Sequence, residues 1–272
     1  MSFTYKMKVR FLKDPRLNRL WQRWQILKGK YTGSYNKLPD YIRQYAHNKT
    51  FVDVGCMWGV NGEYAFMAED AGATEVKGVD VFGPTPEFEE KKRKRESNVQ
   101  FILGDATDMR TIKRVGEMDV VFCAGVLYHH PAPYDLLVAL RKMCREHLIL
   151  RTSTIPEVPG LPNAAVYWPH LGPDDRKLWN LKKLGLMRQV GITDVFQPEE
   201  GYGNWFWGLS PSCLKSMLRT AGFKVEWQFS EAFAQTMICR AVAPAMHHEL
   251  PGEAEARDMA KRISAARIAQ PA

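Results

Sequence analysis

The chain has 272 residues, enough to bury a full core as one α/β domain with additions. No apolar run approaches the roughly 18 to 20 residues that cross a bilayer, and no apolar core with a cleavage site marks a signal peptide. The cytoplasm is therefore the default location, with the inner face of the membrane as the place for any peripheral contact. Five cysteines (56, 123, 144, 213, 239) without a C-x-x-C pair exclude a disulfide framework and a zinc site, so no metal is expected.

The net charge of +8 belongs to the first thirty residues, where Lys/Arg at 6, 8, 10, 13, 16, 19, 23, 28 and 30 face only Asp14. Asp14-Pro15 reads as an N-cap with Pro at the first helical position, and Gly29 as a stop. Leu17, Leu20, Trp21, Trp24 and Leu27 recur at helical spacing, so residues 14–30 are expected to form a basic amphipathic helix. Such a helix packs on its own domain, lies on an anionic membrane surface, or meets nucleic-acid phosphates. Residues 31–49 read as a connector and a helix leading into the first strand.

The central stretch runs from Thr50 to Phe82. A short apolar strand (Phe51, Val52, Val54) breaks into a turn with Gly55, Gly59 and Gly62. A helix (63–71), the stop at Gly72 and a second strand ending in Asp80 follow. In a parallel sheet such a βαβ unit places its ligand at the carboxyl ends of the strands, so Asp53 to Gly62 and Asp80 should face one bound molecule, with the Asp80 carboxylate suited to two ribose hydroxyls. A dinucleotide fingerprint needs a second Gly where Met57 stands, which argues against NAD. S-adenosylmethionine carries no phosphate and needs only the close backbone approach that Gly55 and Gly59 allow. Alone, such a turn also fits an unrelated α/β protein.

The basic run Lys91 to Arg95 has acids beside it and reads as a solvated surface. A third strand (99–103) delivers Gly104-Asp105-Ala106, where the acid can accept from an adenine amine while the following amide donates to a ring nitrogen. A fourth strand, Met118 to Ala124, empties into Gly125 to Pro131 with Tyr128, His129 and His130. A helix (134–145) and a fifth strand (147–151) come next. Residues 156–209 are too long for a plain connection and too aromatic for disorder, so they read as a partly helical cap. A helix (210–219) and two antiparallel strands (224–229, 236–242) close the sheet, and a mobile tail is expected from Ala243. His247-His248 reads as incidental.

In order, DVGCMWG (53–59), GVDVF (78–82), GDATD (104–108) and DVVFCAGVLYHHPAP (119–133) resemble the class I S-adenosylmethionine-dependent methyltransferases over about residues 48–242. VLYHHPAP and NWFWGLSPSCLKSMLRTAGF (204–223) resemble the tRNA wobble-uridine (5-oxyacetate) methyltransferase-like branch, which includes small-molecule and sugar O-methyltransferases. The resemblance implies a Rossmann-like seven-stranded α/β sheet flanked by helices. It divides the chain into a basic arm (1–47), a methyltransferase domain (48–242, cap 156–209) and a tail (243–272). It also implies S-adenosyl-L-methionine as cofactor, held by Asp53, Gly55, Cys56, Met57, Gly59, Asp80, Val81, Asp105, Ala106 and Ala124, with the glycines at the methionine part, Asp80 at the ribose, and Asp105 with Ala106 at the adenine. Methyl transfer needs placement and, for a hydroxyl acceptor, a base, for which His129 or His130 is the candidate, with Tyr128 orienting the acceptor.

The expected substrate is a small-molecule, sugar or lipid-linked acceptor presented near a membrane surface that residues 14–30 contact. tRNA is the alternative, disfavoured because the body outside the arm is electrically neutral, whereas an RNA footprint needs a broad basic face. A non-catalytic cofactor-binding protein is the second alternative, motivated by Met57 and Trp58, which stand where family loops carry small residues. The sequence leaves the oligomeric state open.

Overall fold

The computed structural model describes residues 16, 37–155, 157–158, 161–173, 195–231, 234–255 and 257–258. Apart from Arg16, the expected helix at 14–30 lies outside the described residues, as do the connector at 31–36 and Trp179 of the cap.

A seven-stranded sheet organises the molecule. Its strands are β1 (Thr50–Val54), β2 (Glu75–Asp80), β3 (Gln100–Leu103), β4 (Met118–Ala124), β5 (Cys144–Ser153), β8 (Phe223–Ser230) and β9 (Ala234–Ala241), in spatial order β3-β2-β1-β4-β5-β9-β8. The first five are parallel, while β9 runs antiparallel to both β5 and β8. β5 extends beyond the expected 147–151 because it is paired on both sides, by β4 and by β9. Two further strands, β6 (Ala165–Tyr167) and β7 (Trp207–Leu209), make a small antiparallel sheet within the cap region.

Helices cover both faces, as parallel strands buried on two sides require. On one face α1 (Leu38–Ala46) buries Leu38, Ile42 and Ala46 at four-residue steps, alongside α2 (Glu63–Asp70) and α3 (Pro86–Lys94), around Phe51, Phe66, Phe88 and Phe122. On the other face α4 (Met109–Val115), α5 (Pro133–Met143) and α6 (Pro211–Ala221) pack on Val52, Val54, Val121 and Leu150. α6 has the ends its sequence encodes: Ser210 Oγ accepts from the Cys213 N–H, Pro211 opens the helix, and Gly222 closes it in the left-handed region.

The basic run on α3 is surface, tied to acids by Lys91–Glu63, Lys94–Glu90 and Arg95–Asp70. The tail, expected as a mobile end from Ala243, packs on the domain through its first described residues. Leu250 is buried in the same core as α5, Lys142 pairs with Glu253 at 2.9 Å, and His248 Nε2 lies 2.8 Å from Asp135. One apolar anchor between two polar ties to α5 docks the segment as far as Glu253.

Candidate active site

The strand order reverses between β1 and β4, and in open parallel sheets the crevice at such a switch point takes the ligand. The loops leaving these two strands touch: a Cβ placed on Gly55 would lie 2.2 Å from Val126 Cγ2. Gly55 is also left-handed, at φ 84°, so it meets a steric and a conformational demand for glycine. The turn continues through left-handed Gly59, Asn61 and Gly62, and at Gly59 a Cβ would meet no protein atom within 4 Å. Met57 does not obstruct this turn. Its side chain is fully buried beside Cys56 in the core.

Three carboxylates line the strand ends, and each has a distinct balance of internal bonds. Asp80 Oδ2 accepts from the Met57 N–H at 2.7 Å and Oδ1 from the Phe82 N–H at 2.9 Å. A carboxylate offers about four acceptor directions, so one remains on each oxygen, the count that a vicinal diol requires. Asp105 Oδ1 accepts from the Thr107 N–H and hydroxyl at 2.8 and 2.7 Å, and Oδ2 from the Tyr202 hydroxyl at 2.5 Å. One direction on Oδ2 is left, enough for a single amine. Burial alone would raise the Asp105 pKa, but the bonds from Tyr202 and Thr107 and the nearby His130 outweigh it and hold the carboxyl below its ordinary value. Asp53 is buried within β1, and its Oδ2 has no hydrogen-bond partner. Burial, and then the charge of Asp80, push its pKa up to about 8, partly opposed by a bond from the Ala65 backbone. An orphaned buried acid beside the turn has an oxygen left for a donor from a ligand, and a cationic donor would draw off its proton. An ammonium, a diol and an aminopurine together describe S-adenosylmethionine, and these residues fit it.

Around this cradle Trp58, Val81, Phe82 and Leu103 are exposed apolar side chains, with Trp58 and Phe82 at 6.0 Å. Ala106 is buried behind Asp105, and Ala124 ends β4 half-buried. An open groove of about 500 Å³ flanks Asp105, bounded by Met109, Arg110 and Lys113 of α4 and by Pro251 and Glu255 of the C-terminal segment.

The loop after β4 forms a short 3-10 turn, Leu127–His129, that separates its two histidines. The His129 ring is buried, with Nδ1 2.8 Å from the Asn204 carbonyl oxygen. A carbonyl only accepts, so Nδ1 carries the proton and the neutral ring presents Nε2 as its lone-pair nitrogen. Burial lowers its pKa to about 4, against the opposing bond to Asn204. The rings of Tyr128, Trp205 and Trp58 surround His129 at 4.1, 5.8 and 5.2 Å. His130 points elsewhere, its Nε2 buried 4.0 Å from Asp105 Oδ1 and its ring stacked on Tyr202 at 5.4 Å.

The Pro198–Gly203 turn and the residues after it roof this loop. Phe206 N–H donates to the Tyr128 carbonyl at 2.9 Å, and Trp207 Nε1 to the Pro131 carbonyl at 2.8 Å. Read from sequence, residues 156–209 are only an aromatic cap, with no role assigned to Tyr202, Trp205 or Asn204, whose backbone orients His129. Contacts across about 75 positions leave no local pattern. Among the described residues no group of His, Cys, Asp or Glu is arranged to hold a metal, and no helix is long and apolar enough to cross a membrane.

Comparison with known proteins follows the same lines. Residues 51–147 match a methyltransferase domain family. The chain is 36% identical over 135 residues to the tRNA U34 carboxymethyltransferase of Shewanella piezotolerans, covering 44% of this chain and 36% of that protein. The chain thus spans about a third of the length of the curated relatives it matches. Among solved structures, the N-terminal domain of EvdMO1 with SAH bound superposes with a TM-score of 0.50 at 18% identity, over 76% of this chain and 81% of that one. The [4+2]-cyclase SpnF superposes with a TM-score of 0.52 at 13% identity, over 76% of this chain and 80% of that one. One fold therefore serves more than one reaction, and the side chains at the strand ends have to carry the functional argument.

Proposed function

We propose, for a chain that carries a class I S-adenosylmethionine-dependent methyltransferase domain, that it transfers a methyl group to a hydroxyl held under the 198–207 roof, with His129 as the base. The observation that carries this reading is the Nδ1 bond to the Asn204 carbonyl, which fixes His129 with its basic nitrogen free at the mouth of the cradle. Asp53 would hold the ammonium, Asp80 the ribose and Asp105 the adenine. When bound, the cofactor supplies a methyl group already activated by its sulfonium, so the chain's residues have only to align the acceptor, exclude water and accept one proton. Trp58, Tyr128 and Trp205 form the apolar wall that excludes water. His129 Nε2 takes the hydroxyl proton as the oxygen becomes an ether or ester, and the low pKa of the ring keeps that nitrogen unprotonated at neutral pH.

The acceptor in this reading is a small-molecule, sugar or lipid-linked hydroxyl compound. Its support is the aromatic lining around His129 and the neutrality of the chain outside its basic arm, through which contact with a membrane surface is part of the same proposal. A second reading, action on the wobble uridine of tRNA, is favoured by the names of the curated relatives, which also raise the transfer of a carboxymethyl in place of a methyl group.

The test offers labelled cofactor to hydroxylated small molecules, lipid-linked sugars and tRNA, and identifies the added group and its atom by mass spectrometry. Methyl on an acceptor oxygen is expected, with His129→Ala losing about 10²- to 10⁴-fold in turnover while still binding S-adenosylhomocysteine. Full activity in His129→Ala would overturn the base. Tight cofactor binding without turnover on any acceptor class would make the chain a non-catalytic binding protein.

A further inference from the structure

His130 is buried, is not placed to act as the base, and has an unpartnered ring nitrogen. Its surroundings define what that nitrogen carries. The Ala132 N–H at 3.1 Å and the Ala132 carbonyl oxygen at 2.9 Å both face Nδ1, so this contact admits either tautomer, and the Asp105 carboxylate 4.0 Å from Nε2 favours the one with its proton on Nε2. In this tautomer the Ala132 carbonyl oxygen receives nothing from the ring. Nε2–H is then a buried donor without an acceptor, beside an acid with one acceptor direction left, and such a donor costs about 1–3 kcal/mol unless a ligand satisfies it.

An adenine amine bonded to Asp105 is flanked by a ring nitrogen on each side. The backbone amide of Ala106 was assigned to one of them. We propose that His130 Nε2–H donates to the other, so that His130 reads the imidazole edge of the adenine. Tyr202 is the positioning residue of this cluster. Its ring stacks on His130 within 20° of parallel while its hydroxyl pins Asp105, which fixes donor and acceptor relative to each other. The loop after β4 thereby divides its labour: His129 serves the acceptor, and His130 serves the cofactor's base.

This inference rests on the cofactor reading above, and a binding cycle separates the two. Affinities of wild type and His130→Ala for S-adenosylhomocysteine and for its 7-deaza analogue, which has a C–H in place of that ring nitrogen, are measured by calorimetry. One neutral hydrogen bond is worth about three- to tenfold in affinity, so the wild type should prefer the natural ligand by that factor and His130→Ala should bind both alike. His130→Asn and Tyr202→Phe, gentler changes, should narrow the preference without abolishing binding. Equal affinity of the wild type for both ligands, or a preference that survives in His130→Ala, would overturn the proposal. Failure of the wild type to bind either ligand would overturn the cofactor reading beneath it.

Discussion

Replacing Asp53 with Asn should stabilise the cofactor-free protein and cripple the binding site at once. Folded Asp53, with a pKa of about 8, holds its proton roughly four pH units beyond the ordinary carboxyl value of 3.8. Between those values the native state binds more protons than the unfolded state, so this group makes stability fall as pH rises. At 1.36 kcal/mol per unit, keeping Asp53 buried costs about 2 kcal/mol at pH 5 and about 5 kcal/mol at pH 7.5. An isosteric neutral amide removes that dependence. Urea denaturation without cofactor should therefore show the Asp53→Asn advantage over wild type growing by about 3 kcal/mol from pH 5 to pH 7.5, whatever its absolute value. Denaturation curves whose separation is the same at both pH values would refute the reasoning. The same variant should lose most of its affinity for S-adenosylhomocysteine, because the amide offers the ammonium no charge.

Cofactor binding should draw the Asp53 proton off, since an ammonium beside the carboxylate lowers its pKa; calorimetry at pH 7 in buffers of different ionisation heat should report net proton release. Gly55→Ala should cost about 2–4 kcal/mol, from left-handed strain and the 2.2 Å approach to Val126, and Val126→Ala should recover only the steric part in thermal melts. With the cofactor saturating, turnover should stay level from neutral pH down to about pH 5 and fall only as His129 takes a proton near its pKa of about 4; a loss of turnover centred near pH 6.5 would place the base elsewhere. Leu250→Ala should lower stability by about 2–3 kcal/mol, measured by denaturant melts, because that side chain anchors the tail on α5.

What the sequence made legible is the set of features written in neighbouring residues. The strand-turn-helix from Phe51 to Asp70, the acids at the tips of β2 and β3, and the caps of α6 at Ser210 and Gly222 all follow from local pattern. Met57 stood as an objection only while its side chain was imagined in the crevice; it lies in the turn after β1, where its N–H bonds Asp80 and its side chain is buried in the core. The pair His129-His130 was ambiguous because adjacent residues share every local cue. What distinguishes them is the distant segment that meets them, Asn204 for one ring and Tyr202 for the other. α4 is only seven residues long and gave too short a period to read, and Leu250 sat in a stretch whose composition suggested solvent.

The insertion of β9 between β5 and β8 has a consequence for synthesis. Five parallel strands can pair as they leave the ribosome, but the outer edge of β5 stays without its neighbour until far later residues arrive: Arg151 and Thr236, bonded across this edge, are 85 positions apart. Until then a ten-residue strand bearing Leu148, Ile149 and Leu150 is a free template for another chain. At about 5–20 residues per second that interval lasts several seconds. Translation stalled between residues 153 and 234 should therefore leave nascent chains that aggregate or recruit chaperones, whereas a stall after β9 should not.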